Sequence, residues 1–252
     1  MNTNSLPTIK SETVDGISNF ENYMFGIAKA YPVLIPFAGI IYSLLGENTL
    51  GFMLTFFSIL DNLLNIYLFK GTSGWLYNRW YPNGIPNCQS DLLRPRNGNQ
   101  RDCGMFGFSE SDLPKLNATD VSGNGFKDCI ETFGIGMPSG HSQHATAMTV
   151  IMIMIILAQK SKMIYRVMAI IFLIGMATWV MVSRVMLNCH NTNQVLIGSF
   201  IGYIMGLIYY YLMEKYHPEG IEKLSDTWKY TLWTVPTVLY LLAIIYNNFV
   251  SQ

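Results

Sequence analysis

A helix dissolved in water keeps one polar face. The stretch Val150-Ile-Met-Ile-Met-Ile-Ile-Leu157 keeps none, being apolar on every side. Helices of that kind face lipid or are wholly buried. The run extends over Ser142–Ala158, and further stretches of about 20 mostly apolar residues, the length a spanning helix needs, recur along the chain. They are Gly26–Leu45, Leu50–Phe69, Met163–Met186, Asn193–Met213 and Tyr230–Phe249, which with the first makes six. The expected fold is therefore all-α, a polytopic membrane helix bundle of about six transmembrane helices with a long extramembrane loop. A soluble bundle with a greasy core is the alternative, and the absence of a recurring polar face argues against it.

Composition agrees. Half of the 252 residues are apolar and 13% are charged, against roughly a quarter charged in soluble domains. Sixteen basic side chains balance sixteen acidic ones, so no net field favours a polyanion, and a nucleic-acid partner is not expected. Met1–Glu21 lacks a basic region followed by a short apolar core, so residues 1–22 are expected to be a retained polar tail.

The polar gap sets the orientation. Call the side that holds it side A. The opposite side then carries the short connections Gly46–Thr49, Gln159–Lys162 and Glu214–Lys229, with Lys160, Lys162, Arg166, Lys215, Lys223 and Lys229 in them or at their ends. Short basic loops stay in the cytoplasm. Side A is thus expected to be lumenal, of the endoplasmic reticulum type, or extracytoplasmic, in an integral membrane protein whose bilayer is its first partner.

The side-A segment Lys70–Met137 holds 14 of the 32 charged residues, ten glycines and four prolines. It is too long for a plain connection. It also holds Cys88, Cys103 and Cys129 and the glycosylation pattern Asn117-Ala-Thr119. Two of those cysteines can pair in an oxidising lumen, and sequence does not choose which. Cys189 is expected to be inert packing at a membrane edge. No metal-ligand spacing such as C-x2-C occurs, and neither metal nor cofactor is expected. Gly198, Gly202 and Gly206 make a smooth stripe for close helix approach.

Chemistry gathers at side-A helix ends. In Gly136-Met137-Pro138-Ser139-Gly140-His141, a proline and a glycine open a helix whose first N–H groups suit an anion. Ser139 adds a hydroxyl and His141 stands in the first turn. In Ser183-Arg184-Val185-Met186-Leu187-Asn188-Cys189-His190, Arg184 offers a planar fork for phosphate oxygens. His190 and Gln194 are four apart, so on one helix face Gln194 can hold one imidazole nitrogen and leave the other as nucleophile. Lys70 ends the second span, and Arg94-Pro95 lies in the loop, with Arg79 a competitor for its role. His144 is read as structural or supporting, Asp61 as an interhelical hydrogen-bonding residue, and His217 as a solvated loop residue.

Lys70 with Arg94-Pro95, then Pro138-Ser139-Gly140-His141, then Ser183-Arg184 with His190 resemble the three-part pattern of the type-2 phosphatidic acid phosphatase superfamily. The resemblance runs from Lys70 to about Gly206. It departs in two places: 23 residues separate Lys70 from Arg94, where members of the family usually have six, and Gln194 stands where most have Asp. Gln at that place, with Gly136-Met137-Pro138-Ser139 and His141-Ser142-Gln143, looks most like the dolichyl or polyisoprenyl diphosphatase branch.

The resemblance implies a metal-independent hydrolase for a lipid phosphate or polyisoprenyl diphosphate, with residues 23–252 as its membrane domain and 70–137 as the loop over the site. His190 is the implied nucleophile, giving a phosphohistidine. His141 is the implied acid and then base, and Gln194, behind the His190 imidazole, is the third implied catalytic residue. Lys70, Arg94, Ser139, Gly140 and Arg184 are implied to bind the phosphoryl group. Glucose-6-phosphatases also resemble the chain at Gln194, which leaves a soluble sugar phosphate as an alternative substrate. A noncatalytic membrane protein of the same fold is the third reading. Oligomeric state is left open.

Overall fold

In the computed structural model, the described residues are 24–28, 30–32, 34–39, 41, 50–81, 90–95 and 134–216. Five named helices lie among them: α1 (Leu50–Leu63), α2 (Lys70–Trp80), α3 (Gly140–Ala158), α4 (Met163–Met186) and α5 (Thr192–Tyr216). A π-helical segment, Leu64–Phe69, joins α1 to α2 without a break. Within the described residues the only extended pairing is a bridge between Leu93 and Ile135.

The apolar runs form helices because lipid offers backbone polar groups no partner, so each must be satisfied within its own segment. Three helices, Gly140–Ala158, Met163–Met186 and Thr192–Lys215, are long and apolar enough to cross a membrane. They match the expected third, fourth and fifth spans. The second, Leu50–Phe69, is met by α1 with the π segment. Helix continues past Lys70 through Trp80, so the side-A segment begins helical. The first expected span is described only in parts of 24–41, where Ala30–Gly39 is a shorter apolar helix. The sixth, Tyr230–Phe249, lies outside the described residues, as do His217, the Asn117-Ala-Thr119 pattern, Cys88, Cys103 and Cys129.

α3 is the central helix and packs most extensively on α5, then on α4. The glycine stripe explains the first contact. A Cβ on Gly198 would lie 2.6 Å from the Ser139 carbonyl oxygen, one on Gly202 would overlap that of Gln143, and one on Gly206 would lie 2.7 Å from that of Ala147. Positions recurring every fourth residue on both helices thus meet backbone to backbone, as small-residue interfaces do. One apolar cluster joins α1, α3 and α5 through Met53, Phe57, Met148, Ile151 and Tyr209, with Phe57 and Tyr209 stacked at 4.7 Å. A second joins Ala145 of α3 and Ala177 and Val180 of α4 to Ala28 and Tyr31. The outer faces of α4 and α5 stay exposed and apolar, among them Ile171, Phe172, Phe200 and Tyr211. Such a surface suits hydrocarbon rather than water.

Because α3, α4 and α5 alternate in direction, Gly140, Met186 and Thr192 lie at one end of the bundle, with Asn65 of the π segment beside Gly140. A Cβ on Gly140 would lie 2.9 Å from Asn65 Oδ1. The side-A helix ends therefore converge.

Candidate active site

The Arg-x5-His spacing has a local cause. α4 ends in a Schellman motif: the Asn188 N–H donates to the Val185 carbonyl at 3.0 Å and the Cys189 N–H to the Arg184 carbonyl at 2.9 Å. Asn188 takes the left-handed conformation this needs, with φ 52°, which asparagine tolerates better than most residues. The His190 N–H also donates to the Arg184 carbonyl, at 3.2 Å. His190 is thereby held over the turn that carries Arg184.

α5 begins at once with a capping box. Asn191 Oδ1 accepts from the Gln194 N–H at 2.9 Å, and Gln194 Oε1 accepts from the Asn191 N–H at 3.3 Å. The same Oε1 lies 2.9 Å from His190 Nδ1. The far side of the Gln194 amide donates from Nε2 to the carbonyls of Asp91 at 2.7 Å and Leu93 at 2.6 Å. Two carbonyl partners can only face an NH2, which orients the amide. Its oxygen can only accept, so Nδ1 of neutral His190 carries the proton and Nε2 keeps a lone pair. That is the arrangement expected of a nucleophilic imidazole.

Arg184 is fully buried. Its Nε donates to Ser183 Oγ at 3.2 Å, and Ser183 Oγ donates to the Val180 carbonyl at 2.7 Å. The serine of the Ser-Arg pair thus aims the guanidinium. Ser139 caps α3: its Oγ accepts from Ser142 Oγ at 2.9 Å and, at a long 3.5 Å, from the Ser142 N–H. The Ser139 N–H donates to the Gln194 carbonyl at 3.1 Å, which joins the Pro-Ser-Gly-His turn to the start of α5. His141, in the first turn of α3, is buried.

The loop arginine is brought in by short pairing. The Arg94 N–H donates to the Gly134 carbonyl at 3.2 Å, and the Gly136 and Met137 N–H groups to the Leu92 carbonyl at 2.8 and 3.2 Å. Gly134 has φ +68°, a conformation that costs glycine little. Arg79, the competitor, is exposed at the end of α2.

His190 reports how these groups combine. Burial, then the charges of Lys70 and Arg94, hold its pKa down, with Arg184 adding to them, while the hydrogen bond to Gln194 opposes; it falls from 6.5 to about 3. Three cations from three separate segments thus act on one imidazole, and Arg94 rather than Arg79 is the loop arginine among them. The sign gives a prediction. A depressed pKa keeps His190 neutral in the free protein, so kcat/KM, corrected for the substrate's own phosphate, should stay level from pH 7 to about 4.5. Arg94→Ala removes one depressing charge and should move the acid limb upward. A limb near 6.5 unchanged by Arg94→Ala would contradict this.

Beneath the site lies a buried polar chain. Asn65 Nδ2 donates to Gln143 Oε1 at 2.8 Å, and Gln143 Nε2 donates to Asp61 Oδ1 at 2.9 Å. Asp61 is the interhelical hydrogen-bonding residue expected. His144 sits in this chain, with Nδ1 3.6 Å from Asp61 Oδ2 and Nε2 3.3 Å from Ser58 Oγ, which is the structural alternative weighed for it. The π segment bonds each N–H five residues back. Its last bond, from the Lys70 N–H to the Asn65 carbonyl, places Lys70 one π turn beyond Asn65, whose side chain lies against Gly140.

Two expectations need correction or extension. Cys189 is not inert packing: it is disulfide-bonded, to a partner outside the described residues, so pairing is not confined to Cys88, Cys103 and Cys129. Cys189, the residue directly after the left-handed Asn188, is buried. Sequence reasoning also passed over Asp91, Asn191 and Asn193, and gave Asn65 and Gln143 no role of their own. Only the Asn191-x-x-Gln194 capping-box pattern signalled one of them.

A family model described as the PAP2 superfamily matches residues 49–218. Dolichyldiphosphatase 1 of Dictyostelium discoideum is 39% identical over 82 residues, which is 31% of this chain and 36% of that protein. The chain thus matches about a third of that relative's length. No solved structure matches.

Proposed function

The chain belongs to the PAP2 superfamily, and from that premise we propose that it is an integral membrane phosphatase that hydrolyses a polyisoprenyl diphosphate or related lipid phosphate through a phosphohistidine. One observation carries the reading: a buried His190 whose Nδ1–H is held by Gln194 while three cations act on the ring. Nε2 is then a lone-pair donor at a site made for an anion.

In the first step Nε2 attacks phosphorus and the bond from phosphorus to the leaving oxygen breaks. His141 gives that oxygen a proton. Lys70, Arg94, Arg184, the Ser139 hydroxyl and the Gly140 N–H hold the phosphoryl oxygens as charge shifts onto them. Ser139 Oγ accepts from Ser142, which leaves its own hydroxyl proton to donate. In the second step water attacks phosphorus, His141 takes the water's proton, and the N–P electron pair returns to Nε2. No metal is needed for either step. The apolar outer faces of α4 and α5 suit contact with the bilayer that would hold a lipid substrate, and the similarity to a dolichyldiphosphatase supports that choice of substrate. The disulfide at Cys189 supports a lumenal or extracytoplasmic side A, because such bonds persist in oxidising compartments.

Detergent-purified protein in excess chelator should release phosphate from farnesyl diphosphate, and at least about tenfold more slowly from glucose 6-phosphate, which has no tail to bury. Preference for glucose 6-phosphate would favour the sugar-phosphate alternative. No release from either, nor from phosphatidate, would favour a noncatalytic protein.

A further inference from the structure

Arg94 comes from a segment far from every other site residue in sequence, yet its backbone is clamped to the first turn of α5. The Asp91 carboxylate accepts from Asn191 Nδ2 at 2.9 Å on Oδ1 and from Asn193 Nδ2 at 3.0 Å on Oδ2. Three residues away along α5 and its cap, Gln194 Nε2 takes the Asp91 and Leu93 carbonyls at 2.7 and 2.6 Å. Leu93 is buried, and Gln194 fully so. Resting on the function proposed above, we infer that Asp91 and Gln194 are positioning residues for Arg94: they clasp its segment to the helix start that carries His190, so the phosphate grip and the nucleophile are set by one side chain.

The choice of an amide follows from this. Gln194 uses its oxygen for His190 Nδ1–H and the Asn191 N–H, and its NH2 for two carbonyls. Glutamate matches its length and keeps both acceptor contacts. It offers no donor, however, so two carbonyl oxygens would face carboxylate lone pairs at hydrogen-bond distance, one of them in a buried segment. Glutamine here is therefore more than a weakened acid behind a histidine. It does a second task that a carboxylate cannot.

The test uses the full chain in detergent, with farnesyl diphosphate as substrate and orthovanadate as an equilibrium probe of the phosphate site. Arg94→Ala should raise KM and the vanadate inhibition constant by about tenfold or more, the scale of a lost charged contact. Gln194→Glu should raise both to a similar degree while lowering kcat less, because His190 keeps an acceptor. Adding Arg94→Ala to Gln194→Glu should then cost less than about threefold more, since the arginine is already displaced. Asp91→Ala should give a smaller shift of the same kind, again non-additive with Arg94→Ala, and it serves if Gln194→Glu does not fold. Normal KM in Gln194→Glu, or a full Arg94→Ala penalty in either background, overturns the clasp. His190→Ala separates the two levels. If it stays active, the functional reading fails and takes the clasp with it; if it is inactive while the cycles are additive, the clasp alone fails.

Discussion

Replacing His190 with alanine should lower phosphate release by roughly a thousandfold or more, the scale seen when a covalent nucleophile is lost. The fold should survive, and the local bonding says why. Gln194 Oε1 loses the imidazole but still accepts from the Asn191 N–H, and Asn191 still caps α5. The Schellman bonds that end α4 use backbone groups alone. Thermal midpoints of wild type and variant in the same detergent should therefore agree within a few degrees. Acid labels of the proposed intermediate give a second readout. Labelled phosphate trapped on wild-type protein should be stable to alkali and labile to acid, as an N–P bond is, and absent from His190→Ala. A variant that kept a tenth of wild-type turnover would rule His190 out as the nucleophile.

The second large effect is steric. Gly202 lies against the Gln143 backbone, where an added Cβ would overlap the carbonyl oxygen and approach Cα to 3.0 Å. Neither atom can move without moving α3. Gly202→Val should therefore separate α5 from α3 and cost about 1–3 kcal/mol or more, the usual range for overpacking. In a chain of this size that is a fall of roughly 2–10 °C in Tm. Activity should fall with it, because Gln143 carries the chain from Asp61 to Asn65 beneath Gly140. Gly175 is the control. It lies within α4, and a Cβ there meets nothing within 4 Å. Gly175→Ala should leave Tm unchanged or raise it, since alanine is the better helix former by about 1 kcal/mol. Equal losses at both positions would mean that the stripe is not a packing surface.

Much of the site was legible because its first layer of bonds is local. The pairs that set His190 are the Schellman turn, the capping box and the Gln194 contact, all spanning three to six residues. Motif spacing encodes such bonds directly. Asp61 and the glycine stripe were legible for a related reason: an acid or a row of missing side chains inside an apolar run needs a partner. Arg94, Asn65 and Cys189 were harder. Arg94 is followed by Pro95 as the pattern asks, but the 23 residues between it and Lys70 left Arg79 in competition, and a π segment leaves no mark in apolar periodicity. Cys189 also looked like any small residue near a helix end.

The chain alone determined that helices would span a bilayer, because an apolar run in lipid has no other way to satisfy its backbone. It also determined which residue types would stand at their side-A ends. Tertiary structure decided which of them meet. The bonds from Gln194 to Asp91 and Leu93 cross 103 and 101 residues, and those from Gln143 to Asp61 and Asn65 cross 82 and 78. Contacts of that range depend on how three helices pack, and on the close approach that Gly198 and Gly202 allow, not on the spacing of any one segment.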